Sequence, residues 1–351
     1  MDRIIFLFIL WGCLIANVRS VEAADNAVIL LYHHVSEKTP ASTSVSPGTF
    51  RSHMQYLSDN FQVLPLAEII SALKAKKSLP DRAIAITFDD GYLDIYDNGH
   101  PILREFKLPY TVFINPALVG EVNYHLSWQQ MKTMTEQGAS FANHYLRHEH
   151  LLARQGDEAE SAWLKRVGNE VQQAEQLLQK NLGLSHKYFA YPYGEFSSAL
   201  QQHISDLGFI GFAQYSGAVA SFSDFSALPR FPAAGVEADF ALLKIKMHSL
   251  AMPVTDASPS DPVMNEAQMP FTFSFEVNDK DIDNGRITCF FKGQPQSIEV
   301  AGKKILAEFN MFLPYGRSRL NCTVPSIAQP SRYYWYSKPF FVANQQGQWP
   351  D

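Results

Sequence analysis

Short, uninterrupted apolar runs alternate with amphipathic segments along the first two thirds of the chain. Such runs are typical of strands buried on both faces of a parallel sheet, and amphipathic segments are typical of helices packed against it. The predicted strands cover residues 27–32, 83–88, 110–114, 139–142, 188–191 and 210–213. Two predicted helices begin at Ser46-Pro47 and at Ser127. The others cover residues 66–77, 96–106, 157–182, 198–207 and 237–250. This alternation predicts parallel βα units of an α/β fold, arranged as a barrel or an open sheet.

The pattern changes after about residue 250. Prolines and serines mark residues 251–268, which we interpret as a linker. Apolar and polar residues then alternate in short segments, at 271–275, 286–291, 296–300 and 305–309. Close spacing of such strands predicts a small antiparallel β-sandwich over residues 269–351.

Residues 1–23 have the features of a signal peptide. A basic residue near the start precedes a nearly continuous apolar stretch, and Val21-Glu22-Ala23 offers small residues for cleavage. The stretch is short for a membrane span, so we expect no transmembrane span in the mature chain. An alternative is a lipoprotein anchored through Cys13, which Trp11 disfavours. The predicted location is therefore periplasmic or secreted.

Composition and charge narrow the class of protein. The chain has 351 residues, 46% hydrophobic and 18% charged, which is a globular composition with material for more than one domain. Its net charge of -6 excludes a generally basic nucleic-acid-binding surface, so no nucleic-acid partner is expected. In an oxidising compartment, Cys289 and Cys322 are predicted to form a disulfide, with two buried free thiols as the alternative.

Two adjacent carboxylates follow the strand predicted at 83–88. Asp89 and Asp90 stand in the sequence Thr87-Phe88-Asp89-Asp90-Gly91. Active sites of βα folds lie at the carboxyl ends of their strands. Neighbouring buried aspartates repel each other unless a counter-charge is present, and a metal ion supplies one. A solvated acidic turn is the alternative interpretation.

Two further segments follow predicted strands. His144 and His148 are four residues apart, so on a helical turn they would face the same way and could chelate a divalent ion, whereas a solvated His-rich loop is the alternative. Residues 191–194 read Tyr-Pro-Tyr-Gly. A glycine in that turn lets the backbone approach a ligand, and its N–H groups could hold an oxyanion. By itself, however, this segment is no more than a turn.

Together, these three segments resemble the first three motifs of the polysaccharide deacetylases, the carbohydrate esterase family four or NodB-homology domain. Tyr32-His33-His34-Val35 is similar to the Tyr-His segment near the start of many extracellular members. The resemblance covers residues 27–250. It implies a distorted (β/α) barrel that binds one divalent metal ion, usually zinc.

The resemblance also implies roles for individual residues. Asp90, His144 and His148 would bind the metal, and Asp89 would be the general base. The backbone N–H of Tyr193 would stabilise the oxyanion. Tyr191, Pro192 and Gly194, the other members of that turn, would contact the substrate.

The sequence departs from the family pattern in two places. Many members have an arginine just before the Pro-Tyr-Gly turn, and Arg230 is the candidate that could orient the base instead. The usual final Leu-x-His motif has no clear counterpart. His248 is nearest but falls in a predicted amphipathic helix, so His33 and His34 are alternative general acids, with packing or support of the site as their other interpretation.

The resemblance implies hydrolysis of N-acetyl groups from an acetylated amino-sugar polysaccharide. One alternative is an O-acetyl esterase that acts on a xylan-like polymer. Another is a carbohydrate-binding protein that has lost catalysis, which the missing arginine and histidine motifs would suggest. The β-sandwich could bind carbohydrate through residues 333–336, although successive strand residues point to opposite faces and half of them would pack inward.

Overall fold

The computed structural model describes residues 23–120, 124–183, 186–265, 270–310 and 312–350. The predicted signal sequence up to residue 22, with Cys13, lies outside these residues. Among the helices that are described, none combines the length and the apolar character required to cross a membrane.

Strands of the first two thirds of the chain are short and mostly buried. They are β1 (Ala23–Ala24), β2 (Ala27–Tyr32), β3 (His34–Val35), β4 (Ser44–Val45), β5 (Gln62–Val63), β6 (Leu79–Pro80), β7 (Ala83–Phe88), β8 (Tyr110–Ile114), β9 (Ala139–Asn143), β10 (Tyr188–Ala190), β11 (Ile210–Phe212) and β12 (Phe231–Pro232). Every residue of β2 and β7 is buried, as expected for strands covered on both faces.

In the described part of the chain, seven α-helices accompany these strands. They are α1 (Pro47–Asn60), α2 (Leu66–Lys74), α3 (His100–Glu105), α4 (Trp128–Thr135), α5 (Glu160–Leu182), α6 (Ser198–Asp206) and α7 (Phe240–Met247). The helix predicted at 96–106 is divided into a π-helical turn, Ile95–Gly99, and α3. Ser127 and Gln130 form a capping box at the start of α4. One apolar stripe of α5 is buried as a unit: Trp163, Val167, Val171, Ala174 and Leu178.

The central sheet is entirely parallel. Its order is β11-β10-β9-β8-β7-β2-β12, and β5 also pairs with β7. An isolated parallel bridge joins Phe212, in β11, to Leu228, close to the start of β12, so the sheet curls back on itself. This is the distorted (β/α) barrel that the family resemblance implied, and it gathers the carboxyl ends of its strands at one rim.

The rest of the chain forms two mainly antiparallel sheets. Their strands are β13 (Leu250–Ala251), β14 (Val254–Ser258), β15 (Phe271–Val277), β16 (Thr288–Phe291), β17 (Gln294–Gln296), β18 (Ile298–Ala301), β19 (Lys304–Phe309), β20 (Gly316–Pro325) and β21 (Tyr333–Val342). One sheet has the order β13-β21-β20-β16-β17 and the other β14-β15-β19-β18. A shared apolar core lies between them, and the Cys289–Cys322 disulfide joins β16 to β20 within it.

Part of the expected linker is regular structure. β14 pairs antiparallel with β15, and β13 pairs parallel with β21. The proline-rich composition did not reveal these strands, because the prolines at 253, 259 and 262 flank β14 and do not fall within it.

The two β-sheets pack directly against the barrel. Trp335 meets Phe231 edge to face with ring centroids 5.3 Å apart, and Phe341 meets Phe196 at 5.4 Å. Arg332 is 7% exposed and donates to the Asp81 carboxylate at 2.9 Å. These contacts place β21 along the side of the barrel, from Asp81 before β7 to Phe196 after β10.

Candidate active site

Asp89 and Asp90 lie at the carboxyl end of β7 and are only 2% and 7% exposed. The Asp89 N–H donates to the Tyr32 carbonyl at 3.0 Å, which extends the contact between β7 and β2 as far as the first aspartate. Asp90 and Gly91 then adopt left-handed conformations with φ of 71° and 69°. A Cβ on Gly91 would lie 2.7 Å from Cγ2 of Ile114, so glycine is required there. This sharp turn lets the two adjacent carboxylates have different partners.

Asp89 is paired with a fully buried arginine. Arg230 donates through Nη1 and Nη2 to the two oxygens of Asp89, each at 2.7 Å, and through Nε to the Ala213 carbonyl at 3.0 Å. Burial alone would raise the pKa of the Asp89 carboxyl, but the positive charge of Arg230 holds that pKa below its ordinary value. Asp89 is therefore ionised and fixed in orientation, by an arginine 141 residues away.

Asp90 faces the two predicted histidines. Its Oδ1 lies 3.1 Å from Nε2 of His144 and 3.3 Å from Nε2 of His148. Nδ1 of His144 donates to the Ala190 carbonyl at 2.9 Å, which leaves Nε2 directed at Asp90. Burial is the largest influence on His148 and lowers its pKa to about 4, so its imidazole is neutral near pH 7.

These three side chains fit a divalent cation. One ligand atom from each of Asp90, His144 and His148 lies within 4.8 Å of the others. Oδ1 of Asp90 is buried and makes no hydrogen bond, although both imidazole nitrogens are close to it. Burial would lower the pKa of His144, yet Asp89 and Asp90 raise it, so the site favours positive charge. Two imidazoles and one carboxylate are a donor set typical of zinc sites with open positions.

The His144 loop differs from the sequence-based expectation. His144 follows β9 directly, and the residues up to His148 form a bend instead of a helical turn. Tyr145 has a left-handed φ of 71°. Asn143 supports this turn, because its Oδ1 accepts the Tyr145 N–H at 2.9 Å while its amide donates to the Val171 carbonyl at 2.9 Å. The two histidines thus converge because of a supported loop and not because of helical periodicity.

The Pro-Tyr-Gly turn lies against the same cluster. Tyr193 has a left-handed φ of 57°. Its ring is 4.3 Å from that of His148 and is stacked on His150 at 3.9 Å, and His150 in turn contacts the buried Glu195 at 2.9 Å. Tyr191 is fully buried and its hydroxyl donates to the Ser226 carbonyl, so its side chain supports the turn from beneath and does not face the rim. The turn is therefore close to the cluster, and Pro192 and Gly194 form its buried backbone.

His33 and His34 have different surroundings. His33 is partly exposed, and both Asp89 and Asp90 are close enough to act on its charge. Burial is the largest influence and lowers the pKa of His33. His34 is buried, stacks on Tyr92 at 3.7 Å and contacts the Asp94 carboxylate at 2.6 Å. Of these two histidines, His33 is therefore the one whose charge the carboxylate pair influences.

The structure does not bring His248 to this site. His248 ends α7, and its Nε2 contacts the Tyr56 hydroxyl at 3.1 Å. The charge of Arg82, just before β7, acts on His248, so His248 is near the beginning of β7. Asp89, by contrast, directly follows the end of β7. A strand of this length separates those ends by roughly 20 Å. The proposal of His248 as general acid is wrong, because α7 directs it to the opposite end of the barrel.

Two residues of the site were missed in the sequence. Tyr92 donates its hydroxyl to Asp90, and its position two residues after Asp90 was a usable signal. Arg317, in β20, donates to the Tyr193 carbonyl at 2.7 Å. No local pattern indicates this contact, since 124 residues separate the pair.

Comparisons with known proteins agree with this geometry. The polysaccharide deacetylase family model matches residues 76–211. The poly-beta-1,6-N-acetyl-D-glucosamine N-deacetylase of Staphylococcus aureus (strain MRSA252) is 31% identical over 226 residues, which cover 62% of this chain and 78% of that protein. YxkH of Bacillus subtilis (strain 168), whose name assigns it to the polysaccharide deacetylases, is 34% identical over 142 residues, 40% of this chain and 50% of YxkH. This chain thus spans half the length of YxkH.

Solved structures show the same fold. The Streptococcus pyogenes deacetylase PplD in complex with acetate has a TM-score of 0.56 at 23% identity, over 63% of this chain and 98% of PplD. IcaB from Ammonifex degensii has a TM-score of 0.54 at 23% identity, over 61% of this chain and 97% of IcaB. The S. aureus relative is 31% identical and is matched over 78% of its length, so the chain belongs to the polysaccharide deacetylase family.

Proposed function

We propose that this protein hydrolyses N-acetyl groups of an extracellular or periplasmic amino-sugar polysaccharide and releases acetate. The observation that carries the proposal is the pairing of two sites at one strand end: a buried aspartate held by Arg230, and an Asp-His-His cluster beside it. The name of the S. aureus relative supports poly-β-1,6-N-acetylglucosamine as the first substrate to test.

The proposed cofactor is one divalent ion, zinc, bound by Asp90, His144 and His148. When bound, such an ion lowers the pKa of water and polarises a carbonyl. Asp89 accepts the proton of the attacking water, because Arg230 keeps its carboxylate ionised and oriented. The two adjacent aspartates therefore have different roles: Asp90 binds the metal, and Asp89 is the base.

The remaining steps belong to residues around the cluster. The Tyr193 N–H donates to the developing oxyanion, in a turn held beside His148. His33, which lies near Asp89 and Asp90 outside the cluster, receives the proton that Asp89 took from the water and passes it to the leaving sugar amine. The products are acetate and a free-amine sugar unit.

We further propose that the chain is exported and that it divides near residue 250 into a deacetylase domain, residues 27–250, and a β-domain. The packing of Trp335 and Phe341 on the barrel supports a β-domain that stays attached to the catalytic rim.

Asp89→Asn tests the assignment of the base. Acetate release from poly-β-1,6-N-acetylglucosamine is expected to fall by at least about 10³-fold, while zinc content, measured by mass spectrometry, stays at that of the wild-type protein. Retained turnover would overturn the role of Asp89. Acetylated xylan provides a second arm, and faster release from xylan would identify an O-acetyl esterase. Binding of either polymer without acetate release by the zinc-loaded wild-type protein would identify a binding protein.

A further inference from the structure

Glu195 is a buried carboxylate beside the candidate site that has no role in the proposed mechanism. It directly follows the Pro-Tyr-Gly turn, and its N–H donates to the Pro192 carbonyl at 3.2 Å. Its side chain is 0% exposed, and its Oε2 accepts a hydrogen bond from Nδ1 of His150 at 2.9 Å. A buried charge is costly unless it is paired and hydrogen-bonded. The His150 imidazole is therefore held by a partner that is shielded from water.

The His150 imidazole lies flat against the ring of Tyr193. The two ring centroids are 3.9 Å apart, and the ring planes differ by 6°. His150 lies outside the cation cluster and is directed at Glu195 instead. It therefore contacts the Pro-Tyr-Gly segment twice, through the ring of Tyr193 and through the carboxylate that follows the turn.

Tyr193 has a backbone conformation that its surroundings must hold. Its φ of 57° is left-handed, which a residue with a Cβ seldom adopts without support. After it, a Cβ on Gly194 would lie 2.4 Å from Cβ of Gln214, so the backbone there is packed closely against Gln214. The stack on His150 holds the side chain of Tyr193. Without that stack, Tyr193 could relax toward negative φ, and its peptide N–H would change direction.

We propose that His150 and Glu195 form a positioning pair for the oxyanion site. Glu195 fixes the His150 imidazole, and the imidazole fixes Tyr193, whose N–H binds the oxyanion. The inference rests on the proposed function. An oxyanion donor stabilises the transition state more than the substrate, so its misplacement lowers kcat and leaves substrate binding nearly unchanged. Neither His150 nor Glu195 touches the reacting atoms, because both act through Tyr193.

Two substitutions of Glu195 separate positioning from packing. Leucine suits a fully buried position but cannot accept the His150 hydrogen bond, whereas glutamine can. Glu195→Leu is expected to lower kcat for acetate release by about 10–100-fold with KM within about twofold, and Glu195→Gln to keep kcat within about threefold of the wild type. Zinc content and thermal unfolding of Glu195→Leu should match those of the wild-type protein.

A transition-state analogue provides a readout that a packing role would not change. A methylphosphonamidate analogue of N-acetylglucosamine carries a tetrahedral phosphorus in place of the attacked carbonyl carbon. Its affinity should fall in Glu195→Leu by the same factor as kcat/KM, whereas the affinity for the N-acetylated substrate stays nearly constant.

His150→Ala removes the stack itself and should reproduce the fall in kcat. The His150 side chain is 27% exposed, so this variant tests the pair even if Glu195→Leu does not fold. His186→Ala is the matched control, because His186 is exposed and stacks on Tyr188 at 5.3 Å outside the cation cluster. It should retain the kcat of the wild-type protein.

The outcomes separate the pair from the proposed function. Wild-type kcat in folded Glu195→Leu or in His150→Ala overturns the pair and leaves the deacetylase assignment intact. A fall in kcat that accompanies loss of zinc, that equals a loss of substrate affinity, or that Glu195→Gln shares also overturns it. If the zinc-loaded wild-type protein releases no acetate from any acetylated glycan, the proposed function fails and the pair fails with it.

Discussion

Arg230 binds both carboxylate oxygens of Asp89 at 2.7 Å, although 141 residues separate the two along the chain and β2 lies between their strands, β7 and β12. Arg230 is fully buried and Asp89 is 2% exposed, so neither charge has water as an alternative partner. Arg230 holds Asp89 in a chain that has no arginine just before the Pro-Tyr-Gly turn. Here Phe189, Ala190 and Tyr191 occupy that region.

Arg230→Lys should therefore lower kcat by about 10–100-fold, because lysine keeps the charge but loses the two-point contact that orients the base. Arg230→Met should also destabilise the fold by about 3–5 kcal/mol, since it leaves a buried charge without a partner. Acetate release and chemical denaturation measure these effects. Unchanged kcat in Arg230→Lys would show that Asp89 does not require this orientation.

Loss of a cluster histidine should remove metal. His148→Ala is expected to weaken zinc binding by at least about 10-fold and to abolish activity at limiting zinc. His186→Ala, at an exposed histidine outside the cluster, is the control. Metal content after dialysis against a chelator distinguishes the variants. Equal zinc retention by both would contradict the assignment of His148.

The aromatic strip at residues 333–336 should act mainly in packing. Trp335→Ala is expected to destabilise the protein by about 2 kcal/mol or more, because Trp335 contacts Phe231 of the barrel. Tyr333 is 38% exposed, and Tyr333→Ala should change stability by less than about 0.5 kcal/mol. Thermal unfolding measures both. A larger loss of stability for Tyr333→Ala than for Trp335→Ala would contradict this prediction.

The disulfide should stabilise the β-domain without affecting the rate of acetate release. Cys289 and Cys322 are fully buried and enclose a sequence separation of 33 residues. Replacing both by alanine should cost roughly 3–4 kcal/mol of unfolding free energy. At a temperature where the variant is folded, acetate release should match that of the wild-type protein. A fall in kcat there would indicate coupling from the β-domain to the catalytic turn.

Much of the fold followed from local pattern. Buried strands such as β2, β7 and β8 have exactly the predicted bounds, because continuous apolar runs can be covered only inside a sheet flanked by helices. The capping box at Ser127 and the buried stripe of α5 were also predictable, since both depend on residues within a few turns of each other. The position of Asp89 and Asp90 at a strand end was also predictable, because they directly follow the apolar run at 83–88.

By itself, the sequence determined the parallel βα architecture, the aspartate pair at its rim and the change to β-structure after residue 250. The tertiary structure decided which residues meet across long separations. It joined Arg230 to Asp89, brought Arg317 to Tyr193, placed His33 near the carboxylates and placed His248 at the other end of the barrel. These relationships depend on how a curled sheet closes and how a second domain packs on it. Neither leaves a periodic signal in the residues concerned.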